Sequence, residues 1–515
     1  RRRLHAYCFG AGRDDFYPQS RTAGITNKQA FNNEAELTRY HLIHQKPGLT
    51  LFEKIWKDHT VAENDDGSSL IYIDRVFLHE RTGSLALSGL SAGDRTTKNP
   101  NHVFCTMDHI VDTTPGRGDD TRVPGGIEFI QVTRNLAHQE GITLFDLNNP
   151  RQGISHVVAA EQGIALPGCT MICPDSHTCT LGGIGAMATG VGSSDCEHAL
   201  ATETLSFFKP RQMRINFSGQ LPLGVTAKDM MLHLISNESA AGGSGFAVEF
   251  AGPAIADLEV EARQTLCNMA VEFSAFTGIV APDEKVITYL KDKPYAPKGQ
   301  EWDQAVNYWK TLKSDVDASF DAEIDIDCTD IAPTVTWGTS PQHAISIDDK
   351  IPDPKQADDP ADGDAISRAL DYIDLSPGRP ISGTPIQAAF IGSCTNSRLS
   401  DLRIAADILK GKSVAPGIRA ICVPGSSQVK RNAEKEGLDV IFKQSGFEWR
   451  ESGCSLCFYA GGEGFSPGDR IITTTNRNFE GRQGPMTRSH LASPATVAAS
   501  AIEGCITDFR TQGAR

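Results

Sequence analysis

Long apolar runs and basic clusters are both missing from this sequence of 515 residues. No stretch of about eighteen consecutive apolar residues occurs, which is the length that a membrane-spanning helix requires. Beyond Arg1, Arg2 and Arg3 there is no long Lys/Arg run, and the formal net charge is −15. Because general nucleic-acid binders and proteins of anionic membranes need a basic face, the composition argues against both classes.

A disulfide framework is missing as well. The thirteen cysteines are scattered without paired, regular spacing, and their number is odd. This pattern predicts reduced thiols in an intracellular setting, with the cytoplasm as the expected compartment. A mitochondrial location stays open because residues 1–5 are basic, as in the remnant of a transit peptide, although Asp14 and Asp15 count against that interpretation.

The chain is long enough for several domains, since single hydrophobic cores stop growing near roughly 250–300 residues. Its first 48 residues are polar and lack periodicity, which is typical of an extension that packs late or not at all. Residues 292–384 are rich in Pro, Asp and Lys and are predicted to form surface connections rather than core. The predicted division is an N-terminal extension (1–48), three lobes (49–210, 211–345 and 385–515) and a linker (346–384).

Local signals predict several elements. Thr50 precedes apolar residues that fall on one helical face, and Glu53 completes a capping box with it. Thr226 is placed to cap a second helix. Apolar and β-branched runs predict strands at 70–76, 103–105, 386–391 and 420–423.

Three cysteines stand in two further loops. Residues 392–396 read Gly-Ser-Cys-Thr-Asn directly after a predicted strand, and residues 453–457 read Gly-Cys-Ser-Leu-Cys. The carboxyl ends of strands are where open α/β sheets place their ligands. Three thiolates are one fewer than a closed zinc or iron–sulfur site takes, so a metal held here would keep one open position. A zinc half-site, a redox pair and plain buried cysteines stay open as alternatives.

Histidines occur in three further loops, and two of these loops also carry an aspartate. Residues 106–109 read Thr-Met-Asp-His, residues 153–156 read Gly-Ile-Ser-His, and residues 174–178 read Pro-Asp-Ser-His-Thr. A carboxylate beside an imidazole favours the protonated ring and can hold a proton near neutral pH. The glycine-rich residues 181–192 imitate a dinucleotide loop, but their spacing does not match G-x-G-x-x-G, so a nicotinamide site is rejected.

Taken together, these loops resemble the aconitase superfamily. The resemblance rests on residues 392–398, 453–457 and 475–482, and on Asp-Ser-His followed by the glycine run. Residues 50–56 and 335–341 are similar to the isopropylmalate isomerase large subunits within it. The resemblance implies an α/β, three-lobed core around a [4Fe-4S] cluster whose fourth iron is open to substrate. It also implies that the mobile fourth domain is lacking, so that a separate small subunit or a fused segment supplies the proton-abstracting residue.

The resemblance also assigns residues to roles. His109, held by Asp108, would protonate the leaving hydroxyl, and Arg477 and Arg482 would bind the carboxylates of a dicarboxylic hydroxy acid. The implied metal ligands are Cys394, Cys454 and Cys457. The implied catalytic residues are Asp108, His109, His156, Asp175, His177 and Glu272, and the implied substrate-binding residues are His79, Ser176, Asn268, Asn476, Arg477 and Arg482.

The implied activity is that of a hydro-lyase that interconverts 2-isopropylmalate and 3-isopropylmalate in leucine biosynthesis. Arg81, Ile110, Cys179 and residues 273–276 depart from the usual pattern. They leave another alkyl- or arylmalate, citraconate or maleate open as the substrate. An iron-responsive RNA-binding protein is the alternative of another class, which the acidic balance and the missing fourth domain oppose. A zinc-bound scaffold that uses the three cysteines structurally is a further alternative.

Overall fold

The computed structural model describes residues 48–513, so the predicted extension lies outside the described residues except for Gly48, which bridges to Ala318. Within the described range, no helix is both long and apolar enough to cross a membrane. The helices are α1 Leu51–His59, α2 Glu80–Ala92, α3 Gly126–Gln139, α4 Ser155–Glu161, α5 Ser193–Thr202, α6 Ala227–Glu238, α7 Pro253–Asp257, α8 Val260–Asn268, α9 Glu284–Leu290, α10 Gln300–Trp309, α11 Pro360–Ile373, α12 Leu399–Leu409, α13 Ser427–Lys435, α14 Leu438–Ser445 and α15 Pro494–Glu503.

The strands alternate with these helices in a pattern typical of parallel α/β sheets. They are β1 Thr60–Glu63, β2 Ser69–Tyr72, β3 Arg75–His79, β4 Val103–Thr106, β5 Thr143–Phe145, β6 Thr170–Cys173, β7 Met187–Gly190, β8 Thr204–Phe207, β9 Arg211–Ser218, β10 Phe246–Ala251, β11 Thr277–Ile279, β12 Ala322–Asp327, β13 Thr334–Thr336, β14 Ala344–Ser346, β15 Ala388–Ile391, β16 Arg419–Cys422, β17 Phe447–Trp449, β18 Arg470–Thr473 and β19 Arg488–Leu491.

The first parallel sheet has the strand order β5-β4-β3-β6-β7. The chain starts at the central strand β3, builds outward through β4 and β5, and then returns to the other side of β3 with β6. The order therefore reverses between β3 and β6, and the crevice at the carboxyl ends of these strands is the expected ligand position.

The second parallel sheet repeats this arrangement with the order β17-β16-β15-β18-β19. Its switch point lies between β15 and β18. The predicted strands at 386–391 and 420–423 are confirmed as β15 and β16, and every residue of β15 is buried. A third parallel sheet, β11-β10-β9-β12, packs beside these two.

Backbone hydrogen bonds join the loops of the first sheet to those of the second. Ile154 N donates to Gly425 O at 2.8 Å, and Cys454 N donates to Asp108 O at 2.7 Å. Ile154 also packs in the hydrophobic cluster around the second sheet. The carboxyl edges of the two sheets are therefore held against each other.

Both predicted helix caps are confirmed. Thr50 accepts from Glu53 N, and the Glu53 carboxylate accepts from Thr50 N, which forms the capping box of α1. Thr226 is the N-cap of α6, where the Asp229 carboxylate accepts from Thr226 N at 2.8 Å.

The prediction of one strand at 70–76 is wrong. The segment breaks into β2, which joins the antiparallel sheet β1-β2-β8, and β3, which centres the first parallel sheet. Asp74 lies at the break, where its buried carboxylate accepts from Thr170 N at 2.9 Å and contacts His59 Nε2 at 2.8 Å. These polar contacts at Asp74 fix the chain where it passes from one sheet to the other.

The interpretation of residues 292–384 as surface connections is also wrong. They contain α10, β12, β13, β14 and α11, and Trp309, Trp337 and Ile373 from this segment are buried in the core. The Asp-Pro signal at Asp359 marks a helix start, because Asp359 caps α11 and Pro360 occupies its first position. The predicted lobe boundaries stay a prediction; each lobe range contains one of the three parallel sheets, and the linker range contains α11.

Candidate functional site

The candidate site lies where the carboxyl edges of the two five-stranded sheets meet. From the first sheet, His79 ends β3, His109 follows β4 and Asp175 follows β6. From the second, Cys394 follows β15 and Arg477 follows β18. The side chains enclose a cavity of about 160 Å³.

Ten of the fifteen residues predicted for the site line this cavity, and the other five lie directly behind the lining. The lining members are His109, His156, Asp175, Ser176, His177, Cys394, Cys454, Cys457, Arg477 and Arg482. The five behind them are Asp108, Glu272, Asn268 and Asn476, each bonded to a lining residue, and His79, which stacks on one. The structure thus brings the whole predicted set together.

Two carboxylates organise the imidazoles. Asp108 Oδ1 lies 2.6 Å from His109 Nδ1, and Asp175 contacts His109 Nε2 at 3.1 Å and His156 Nε2 at 2.7 Å. Asp175 also accepts from His177 N at 2.8 Å as the N-cap of a 3-10 helix. A single carboxylate therefore orients residues that follow β4, lie in α4 and follow β6.

The electrostatics favour a charged His109. Burial alone would lower the pKa of His109, but the Asp108 carboxylate holds that pKa well above its ordinary value. Burial opposes ionisation of Asp175 as well, yet His156 and His109 hold its pKa well below the usual range. His109 is thus an imidazolium between two carboxylates.

His79 and Glu80 contact the Asp108–His109 pair. The His79 ring stacks on that of His109 with centroids 3.9 Å apart, and burial together with His109 lowers the pKa of His79 to about 4, so its ring is neutral. Glu80 accepts from Asp108 N at 2.9 Å and from Ile110 N at 2.5 Å, and burial raises its pKa. Glu80 is not among the residues predicted for the site. Its signal is an acid at the first position of a helix that follows a wholly buried strand.

Each of the three cysteines is nearly buried, and each sulfur faces polar donors. Cys394 Sγ accepts from Asn268 Nδ2 at 3.1 Å and from Asn476 Nδ2 at 3.5 Å. Cys457 Sγ lies 3.1 Å from Ser393 Oγ and 3.6 Å from Arg482 Nη2. Cys454 Sγ lies 3.8 Å from His109 Nδ1. Such donors stabilise negative charge on sulfur.

The spacing of these sulfurs does not suit one zinc ion. Tetrahedral zinc with bonds of about 2.3 Å places its sulfur ligands about 3.8 Å apart. Among the described residues, no three cysteine sulfurs all lie within 4.8 Å of one another. His79, Asp108 and His109 do form such a close group, but their hydrogen bonds and ring stacking already engage them. Three thiols that line one cavity and are not all within zinc-binding distance of one another are what a larger inorganic group would need.

The far wall of the cavity carries an ion-pair chain. Glu272 contacts His177 Nε2 at 2.8 Å and Arg477 Nε at 3.0 Å. Burial would raise the pKa of Glu272, but His177 and Arg477 hold that pKa below its ordinary value. Ser176 Oγ lies 3.3 Å from His177 Nδ1 at the cavity surface. Arg477 is thus fixed in orientation and has donors left for a ligand.

Sequence reasoning did not assign three further lining residues to the site. These are Arg81, Ile154 and Phe458. In the sequence, Arg81 is only a departure from the family pattern, and Phe458 follows directly after a predicted ligand. The contact between Arg81 in α2 and Phe458 joins segments that are distant in the sequence, so no local signal identifies either residue.

Comparisons with known proteins agree with this geometry. The model of the "Aconitase family (aconitate hydratase)" matches residues 53–504. The chain is similar to a "3-isopropylmalate dehydratase large subunit 1" of Bradyrhizobium diazoefficiens, with 51% identity over 464 residues that cover 90% of this chain and 97% of the relative.

Among solved structures, the aconitase X of Thermococcus kodakaraensis in its holo-form aligns over 87% of this chain and 94% of its own, with 12% identity and a TM-score of 0.42. That likeness is too weak to say anything about the site. The family model, by contrast, matches nearly the whole described chain, and the Bradyrhizobium relative is about half identical over almost its full length. The chain therefore belongs to the aconitase family and has its α/β fold.

Proposed function

We propose that this chain is the large subunit of a hydro-lyase that interconverts 2-isopropylmalate and 3-isopropylmalate. The observation that carries the proposal is the cavity itself, which joins three buried cysteines to an Asp108–His109 pair and an oriented Arg477. The similarity to a 3-isopropylmalate dehydratase large subunit supports the choice of substrate. Another alkyl- or arylmalate, citraconate or maleate is the alternative within the same chemistry.

The proposed cofactor is a [4Fe-4S] cluster held by Cys394, Cys454 and Cys457. When bound, it would supply a Lewis-acid iron with one position open to a substrate hydroxyl and carboxylate. Burial and Cys457 raise the pKa of the Cys394 thiol to about 12, and burial raises that of Cys454 well above its ordinary value. Loading therefore has to displace protons from these thiols, and the donors around each sulfur would then stabilise the thiolates.

The proposed proton donor to the leaving hydroxyl is His109 Nε2. Asp108 holds the opposite ring nitrogen, so the imidazolium keeps one orientation and its Nε2 proton faces the cavity beside Asp175. Positioned general acids contribute about 10²–10⁴-fold to rate. His156, Asp175 and His177 are proposed as the hydrogen-bond network that orders this acid and the departing water.

Arg477 and Arg482 are proposed to bind the substrate carboxylates. The Glu272 ion pair fixes Arg477 through its Nε and leaves its terminal nitrogens for a carboxylate. Arg482 lies over the rings of Phe458 and Phe479, and its Nε has no partner among the described residues. Buried donors without partners are the groups that a bound ligand satisfies.

A small subunit is the proposed partner, since the Bradyrhizobium relative is named a large subunit. We propose that this partner supplies the proton-abstracting residue. The cytoplasm is the proposed compartment. The twelve cysteines at described positions are all free thiols, which suits a reducing environment.

The test is anaerobic reconstitution with iron and sulfide, followed by absorbance and paramagnetic-resonance spectra. We expect Cys394→Ala, Cys454→Ala and Cys457→Ala each to lose the cluster signal. Cys422→Ala is the matched control, because Cys422 is equally buried but lies within β16. The reconstituted chain with a small subunit should then convert 3-isopropylmalate. Binding of zinc alone, or spectra that the three substitutions leave unchanged, would refute the proposal.

A further inference from the structure

Arg81 is a cavity-lining residue for which the proposed mechanism has no use. It lies in the first turn of α2, and its guanidinium carbon sits 4.8 Å above the centroid of the Phe458 ring. The guanidinium carbon of Arg482 also lies over the Phe458 ring, 5.8 Å from its centroid. A guanidinium group from α2 and one from the loop after β18 therefore lie over one phenyl ring at the cavity wall.

Of the three arginines that line the cavity, Arg81 has the fewest contacts between its guanidinium and acceptor groups of the protein. Arg477 is paired with Glu272, and Arg482 directs Nη2 toward Cys457 Sγ. In the described part of the chain, no carboxylate lies within ion-pair distance of Arg81 and no acceptor bonds to its guanidinium. All five of its N–H donors are thus free for a ligand.

We propose that Arg81 binds one of the two carboxylates of the substrate and so determines its specificity for dicarboxylates. This inference rests on the proposed function. The Arg81 guanidinium lies over the Phe458 ring with its N–H groups unpaired among the described residues, and the fork of a guanidinium matches a carboxylate in a bidentate manner. Because the ring already restricts the side chain, little motion is lost when the carboxylate binds.

The balance of charged side chains around the cavity supports this role. The pKa values of the Asp175 and Glu272 carboxylates at the cavity are lowered, which favours their ionised forms, and Glu272 already forms an ion pair with Arg477. A substrate with two carboxylates would add two more negative charges. Arg81 provides a guanidinium that no protein carboxylate neutralises, so it can offset one of them.

The experiment compares the reconstituted holoenzyme with its Arg81→Met and Arg81→Lys variants on 3-isopropylmalate and on its two monoamides. We expect Arg81→Met to raise KM about tenfold to hundredfold with a smaller change in kcat, because the lost contact acts on the ground state as well as the transition state. Arg81→Lys should fall between, since lysine keeps the charge without the fork. For the monoamide that lacks the carboxylate bound by Arg81, the wild type should show a similar increase in KM. The Arg81→Met substitution should not raise the KM for that monoamide further.

Arg151→Met is the matched control, because Arg151 is also exposed and also stacks on a ring, that of Tyr295 at 6.0 Å, away from the cavity. It should behave as the wild type. Unchanged KM in Arg81→Met, with an intact cluster spectrum, would overturn the inference. An equal further increase in KM of Arg81→Met on both monoamides would also overturn it.

A calorimetric titration with 3-isopropylmalate separates this inference from the proposed function. Binding that weakens about tenfold or more in Arg81→Met supports the role of Arg81 even where the wild type shows no turnover; in that case only the proposed function fails. Turnover by the wild type with equal binding by both proteins overturns the inference alone. Absence of binding to the wild type overturns both.

Discussion

Asp108→Asn is the change that tests the proposed proton donor most directly. The Asp108 side chain is fully buried and accepts at both oxygens, from His109 Nδ1 at 2.6 Å and from Ser155 N at 2.9 Å. Asparagine keeps the shape of the side chain but has only one acceptor oxygen. One of the two donors must therefore face an NH₂ group.

Either placement of the amide changes the site. If the oxygen stays with Ser155 N, the amide donates to His109 Nδ1, which must then be unprotonated, and the ring loses its charge. If the oxygen turns to His109, the NH₂ group opposes the buried Ser155 N–H, which costs about 1–3 kcal/mol. The first placement keeps every buried donor paired, so we expect a neutral His109 that is a much weaker acid.

The expected loss is that of a general acid, about 10²–10⁴-fold in kcat, or about 3–5.5 kcal/mol of transition-state stabilisation. The assay follows the ultraviolet absorbance of the conjugated unsaturated acid that dehydration forms, with the cluster spectrum as a check on loading. Asp74→Asn is the matched control, since Asp74 also forms a buried pair with a histidine, His59 at 2.8 Å, but precedes β3 and lies away from the cavity. If Asp108→Asn retained kcat within about threefold while loaded with cluster, His109 would not be the proton donor.

Three further predictions concern stability. Asp74 raises the pKa of His59 although burial opposes it, so the folded chain holds a proton that the unfolded chain releases near pH 6.5; the unfolding free energy should fall as pH rises above about 6.5, and Asp74→Asn should flatten that slope in denaturant titrations at several pH values. A Cβ at Gly182 would lie 1.7 Å from a backbone carbonyl oxygen of β11, so Gly182→Ala should lower the thermal unfolding temperature sharply, whereas Gly118→Ala, with open space around it, should leave that temperature nearly unchanged. Buried Lys228 donates to two backbone carbonyls just after β18 at 2.6 and 2.5 Å. Lys228→Met should therefore lower the unfolding free energy by about 1–3 kcal/mol in denaturant titrations. An unchanged denaturant midpoint would show that water replaces the ammonium.

Much of the site could be predicted because its residues sit in loops directly attached to strong local signals. The wholly buried β15 precedes Cys394, and the buried β4 precedes Asp108 and His109. Helix caps at Thr50 and Thr226 are likewise local, because a cap joins residues three apart. Where a side chain follows the end of a parallel strand, its position near the sheet edge follows from the strand alone.

What failed depends on contacts between distant segments. The break at Asp74 is set by Thr170 and His59, which the run of β-branched residues around it does not reveal. The helix α11 begins with Asp-Pro, a dipeptide that also marks turns, and only its burial against the second sheet decides between the two. The approach of Arg81 to Phe458 is of the same kind, since it joins the first sheet to a loop of the second.

The backbone bond between Cys454 and Asp108 shows how the two halves of the chemistry are coupled. Cys454 N donates to Asp108 O at 2.7 Å, while the Asp108 side chain holds His109 and the Cys454 sulfur lies 3.8 Å from that ring. A proposed metal ligand and the proposed proton donor are thus fixed relative to each other by main-chain contacts. Rates fall steeply when reacting groups are displaced by about 1 Å, so this linkage keeps the acid in register with the metal position.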